Sequence, residues 1–178
     1  KTKNAYKRLG ERIANTSPRV DVDGQERGDR NRTSVDGRRS KAMENFAGLL
    51  TVTEAGKATG IDGLQKQGGL ARGTTTVHFV APDADSAVLT YEVIFVDDVG
   101  KDARKQLASL PIGLSKTKVK SVGTHGFMFA SQNPDLGTHR MLYTWSKQHN
   151  LRITLQGFNV TPEKLIELAK RMFQRLEK

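Results

Sequence analysis

Four histidines, at positions 78, 125, 139 and 149, and one pair of adjacent carboxylates, Asp97-Asp98, are the side chains best suited to chemistry. Two histidines that share a metal from one helix must lie four residues apart, so that both imidazoles project from one face, and no pair here has that spacing. Each of His78, His125, His139 and His149 is therefore assigned to a strand or surface position. Asp97 and Asp98 follow a strongly apolar stretch, and adjacent carboxylates at a strand end can hold magnesium or remove a proton. They also stand directly before a run with helical apolar spacing. An acid placed there caps the helix, and capping is favoured over catalysis.

Other site types fail on residue type or context. The absence of cysteine excludes disulfides, thiolate metal sites and a cysteine nucleophile. Gly68-Gly69 and Gly73 lack the strand-then-helix setting of a phosphate loop, and no Gly-Lys-Ser/Thr follows them. Matching Gly24 to the turn glycine of a calcium loop puts Arg19 at the first ligand position and Arg30 at the last, which cannot hold calcium. The chain is expected to have no catalytic residue, no metal site and no cofactor, and not to be an enzyme.

Charge is more informative. The 178 residues carry 29 Lys and Arg against 19 Asp and Glu, a net charge of +10 with an isoelectric point near 10.0, which draws the chain to polyanions and acidic surfaces. Residues 1–50 hold 12 of the bases and 7 of the acids, so half of the net charge lies there. Within it, residues 18–40 offer only three valines as large apolar side chains among Gly, Asp and Arg, too little to offset the entropy of ordering. Arg27, Arg30, Arg32, Arg38, Arg39 and Lys41 thus belong to an extended basic arm. The arm has no aromatic residue for base stacking, and its interleaved acids oppose phosphate tracking, so docking on protein leads over nucleic acid. An acidic membrane surface is a further partner for such charge. No run of about 18 apolar residues exists to cross a membrane. The first residue is lysine rather than methionine, which favours a removed leader, anchor or tag. A second basic group, Lys116, Lys118 and Lys120, falls on one face of an extended segment, the pattern of a protected edge strand. Asn15, Asn31 and Asn159 open glycosylation sequons, which matter only in a secretory compartment.

Apolar spacing supplies the scaffold. Tyr6, Leu9 and Ile13 predict a short helix over 4–13, and Met43, Phe46, Leu49 and Leu50 a second over 41–52. Five glycines between 53 and 72 predict a linker or long loop. Strands are expected at 74–81 and 87–96, a helix at 100–110, an edge strand at 116–122, an extended segment at 126–131 and a hairpin of 138–147 with 151–158. Thr161 as N-cap and Pro162 behind it open a closing helix whose stripe runs through Leu165, Ile166, Leu168, Ala169, Met172, Phe173 and Leu176. The order β-β-α-β-β-β-β-α specifies an α+β fold. It is an antiparallel sheet of about five to six strands packed against a C-terminal amphipathic helix and one further helix, with an extended basic N-terminal arm. Residues 1–52 form the arm with its short helices, 53–72 the Gly-rich linker and 73–178 the globular domain.

Tyr143, Trp145, the Leu151/Ile153/Leu155 strand, Gly157 and Thr161-Pro162-Glu163 before the final helix resemble the end of PsbP-like lumenal proteins and related bacterial extracytoplasmic lipoprotein domains. The resemblance covers residues 138–178, and the Gly-Trp turn found early in many such domains has no clear counterpart. It implies a non-enzymatic, accessory or ligand-holding role outside the cytosol, favours an extracytoplasmic, lumenal or organellar location, and transfers no site residues. Together these observations predict a non-catalytic accessory or docking subunit of a larger protein assembly, anchored through its basic arm. The alternative is a peripheral ribonucleoprotein component. In either case the expected contact residues are Arg27, Arg30, Arg32, Arg38, Arg39, Lys41, Lys116, Lys118 and Lys120.

Overall fold

The stretch Thr51-Val52-Thr53-Glu54 carries its own helix start. In the computed structural model, which describes residues 45–71, 73–84, 86–110 and 114–177, the Thr51 hydroxyl accepts from the Glu54 N–H at 3.2 Å and the Glu54 carboxylate accepts from the Thr51 N–H at 3.0 Å. This reciprocal box opens α1, Val52–Thr59, and Gly60 at φ 75° closes it in the left-handed conformation. Of the helix expected over 41–52, residues 41–44 lie outside the described residues, 45–46 are helical and 47–50 turn away, so that 45–50 forms the turn into α1, which occupies the stretch expected to be linker.

The remaining elements are β1 (Gln65–Ala71), β2 (Thr74–Val80), β3 (Ala87–Phe95), α2 (Val99–Ala108), β4 (Ser115–Lys118), β5 (His125–Asn133), β6 (Gly137–Ser146), β7 (Leu151–Phe158) and α3 (Pro162–Leu176). All neighbouring strands pair antiparallel in one sheet of order β1-β2-β3-β7-β6-β5-β4. The α+β architecture is as expected, with seven strands among the described residues instead of five or six. The additional strand is β1. Its sequence, QKQGGLA, hides it because an edge strand with little buried side chain needs no apolar alternation.

Register sorts every strand residue onto one of two faces. Val77, Tyr91, Leu155, Leu142 and Met128 stand in one row across five strands, all buried, under α1, α3 and the 45–50 turn. In α3 the buried residues Leu165, Leu168, Ala169 and Met172 follow i, i+3, i+4, i+7, so one stripe meets the sheet. Burying Leu165 or Met172 contributes about 1.5–3 kcal/mol each. The α2 helix lies on the opposite face, where Val99 and Ala103 pack on Trp145.

The 45–50 turn is bolted to this core. Phe46, Leu49 and Leu50 are buried, and four of the turn's carbonyls accept from side chains of the domain. Tyr91 Oη donates to the Phe46 and Ala47 carbonyls at 2.9 and 2.6 Å, Lys66 Nζ donates to Leu50 O at 3.1 Å, and Arg175 Nη1 donates to Leu49 O. Burial pushes the Tyr91 hydroxyl up and the Lys66 ammonium down from their ordinary values. Among the described residues the globular domain thus includes the turn, α1 and β1. The boundary expected at residue 73 falls inside it because the glycines serve local backbone geometry. Gly60, Gly63 and Gly68, at φ 75°, 71° and 99°, punctuate elements where other residues would be strained.

Glu54 joins α1 to α3. It is 12% exposed and pairs with Arg175 Nη2 at 2.7 Å and Arg171 Nη1 at 3.5 Å. Burial pushes its carboxyl up, but the Arg175 guanidinium and the Thr51 N–H and hydroxyl together outweigh that and hold it at about 2, below its ordinary 4.5. A depressed folded value means stability that is complete above pH 4.5 and lost as pH falls through 2. Glu54→Gln is expected to cost about 2 kcal/mol at pH 7, discounted because Arg175 is partly exposed. The gap to wild type should close as urea titrations are moved from pH 5 toward pH 2.

Candidate docking surface

Two rows on the α2 side of the sheet define this surface. One runs Thr76, Glu92, Thr154, Tyr143, Phe127, Lys118, and the other His78, Thr90, Gln156, Met141, Phe129, Lys116. Both change from polar on β2, β3 and β7 to apolar on β6 and β5, and end in a lysine on β4. The sheet face is therefore an aromatic strip bordered by ammonium groups. Every residue of β4 is exposed, and Lys120 is exposed just past its end. Lys116 Nζ sits 5.7 Å from the Phe127 ring centroid, close enough for a cation–π attraction.

The aromatic side chains brace one another. Phe127 meets Trp145 edge-on at 6.3 Å, Phe129 meets Tyr143 edge-on at 5.8 Å, and Tyr143 stacks on Trp145 at 5.9 Å. Burial pushes the Tyr143 hydroxyl up. Trp145 is fully buried beneath α2, while Phe127, Tyr143 and Met141 keep partial exposure. A shallow groove of about 190 Å³ opens beside them, lined by Leu110, Leu114, Phe129, His139 and Met141 among others. His139 lies against the Phe158 ring at 4.8 Å, and burial pushes its imidazole down.

One polar latch holds α2 on this face. Asp102 accepts from Trp145 Nε1 at 2.8 Å and pairs with Arg152 Nη1 at 3.0 Å, with the Arg152 and Asp102 side chains 14% and 20% exposed. The start of α2 gives the two adjacent acids different places. Asp98 is the N-cap, its Oδ1 accepting from the Lys101 N–H at 2.9 Å, and that bond holds its carboxyl below the ordinary range. Asp97 is exposed beside it.

The histidines are distributed over the sheet. His78 shares a hydrogen bond with Thr90 Oγ1 at 3.0 Å on β2 and β3, His125 begins β5, His139 is on β6 and His149 is in the turn before β7. Among the described residues no three His, Asp or Glu gather as a metal would require. Asn159, at φ 56°, clasps the β5–β6 loop, donating from Nδ2 to Leu136 O and accepting from the Thr138 N–H, both at 3.1 Å. It stands two residues before Thr161, which caps α3 with Pro162 behind it.

Of the expected contact residues, Lys116, Lys118 and Lys120 lie together along one exposed edge. Arg27, Arg30, Arg32, Arg38, Arg39 and Lys41 lie outside the described residues, as do Asn15, Asn31 and the helix expected over 4–13. Reading one face per strand overlooks the aromatic strip. The available signal is that β5 and β6 are apolar on both parities, Phe127 and Phe129 with Met128, Met141 and Tyr143 with Leu142. A strand apolar on both faces needs a second cover or a partner. Compared with family models, curated proteins and solved structures, the chain matches none of them.

Proposed function

We propose that this protein is a non-catalytic docking subunit of a larger protein assembly, binding an acidic partner surface through Lys116, Lys118 and Lys120. The observation that carries this reading is the lysine row on an exposed terminal strand, continuous with a partly exposed aromatic strip. Desolvated aromatic area beside a charged rim is the composition of a protein interface. The basic residues of the arm add charge of the same sign, and the resemblance of residues 138–178 to PsbP-like domains supports an accessory role outside the cytosol.

Nucleic acid is the second reading, favoured by the nearness of Lys116 to Phe127. Against it, each ring already packs on another aromatic ring, and Glu92 stands in the same row as Tyr143, so a base would have to displace existing contacts beside a carboxylate. Co-purification from the native source, with and without nuclease, separates the two. The triple variant K116E/K118E/K120E is expected to keep its melting temperature, because all three side chains are exposed. It should lose a nuclease-resistant set of proteins that the wild-type chain retains. Retention of the set by the variant would contradict the docking reading, and loss of the set with nuclease would transfer the protein to the nucleic-acid class.

A further inference from the structure

We propose that β4 accepts an eighth strand: an extended acidic segment of a protein partner, with carboxylates at alternate positions. The inference deepens the docking reading and rests on it. The Val119 N–H donates to Gly126 O at 2.9 Å, one step beyond the Lys118–Phe127 pair of the β4–β5 register. Hydrogen-bonded pairs recur at every second residue of an antiparallel ladder. Ser115, Thr117 and Val119 therefore turn their backbone groups to β5, while Lys116 and Lys118 turn theirs outward. No described strand lies beyond β4.

The two residues whose outward backbone groups meet no described strand also carry the charge. A strand added at this edge sets its own residues opposite Lys116 and Lys118, two positions apart and on the aromatic side of the sheet. Carboxylates at those positions complement both ammonium groups, and Lys120 continues the parity. Main-chain bonds would supply affinity and the alternating charges would supply selectivity. A second copy of this chain is a poor occupant because it brings lysine opposite lysine.

The other edge lacks these features. In β1, Gly68 has φ 99° and its missing Cβ would fall 2.3 Å from Thr76 O, a conformation and approach that only glycine fits. Its lone charged side chain, Lys66, is engaged with Leu50 O.

The test uses the isotope-labelled full chain and two peptides of equal composition, one alternating glutamate with valine and one with its glutamates in a block. The alternating peptide is expected to bind about tenfold more tightly and to slow amide exchange at Lys116 and Lys118, with little change at Thr117, whose N–H is already paired. Equal binding of both peptides without that protection would overturn strand addition and leave charge-driven docking standing. Failure of both to bind, while nuclease-resistant co-purification still depends on the lysines, would overturn this inference alone. Displacement of the bound alternating peptide by a single-stranded oligothymidylate would overturn both.

Discussion

A chain that begins at residue 51 is expected to melt about 10–20 °C below one that begins at residue 45. The longer chain keeps Phe46, Leu49 and Leu50 in the core, and removing one such side chain costs about 2–5 kcal/mol. The shorter chain also orphans the buried Tyr91 hydroxyl and leaves Lys66 and Arg175 without the carbonyls they bind. These losses, partly relaxed, are a sizeable fraction of the stability of an ordinary domain. Thermal melts of the two chains check this directly. Equal melting temperatures would contradict the bolted turn and leave α1 as the first element the domain needs.

Asp102→Ala is expected to cost about 2–4 kcal/mol and to shift Trp145 emission to longer wavelength. One carboxylate serves two buried donors, and its removal leaves the Arg152 guanidinium unpaired where its Nε already has no hydrogen-bond partner. The chain has a single tryptophan, so intrinsic fluorescence reports the seating of α2 without labelling. Unchanged emission together with unchanged stability would show that apolar packing of Val99 and Ala103 alone seats the helix.

The legible parts of the fold are those with strong local chemistry. Thr161-Pro162 and the stripe from Leu165 to Met172 specify α3 without reference to anything else, and the β6–β7 hairpin follows from Leu151, Ile153 and Leu155. Asp98 can be assigned to a cap because the helix behind it is evident. What escapes is the region where glycine composition outweighs position. The Thr51–Glu54 box and Gly60 at its proper distance mark α1, but five glycines in 20 residues read as a linker until each is given a backbone conformation. The lysine row is legible as an edge strand from its parity alone. Its aromatic border is not, because which parity of β5 and β6 meets α1 and α3 is decided by pairing with β3 and β7, and pairing is a property of the whole sheet.

Zero-length carbodiimide cross-linking of the nuclease-treated assembly isolated with the full chain tests the docking surface most directly, since it joins lysine ammonium groups to partner carboxylates in contact with them. Cross-links to aspartates and glutamates of a partner are expected at Lys116, Lys118 and Lys120, and at Lys41 in the arm. Cross-links confined to Lys57, Lys101, Lys164 or Lys170, all on other elements, would contradict it.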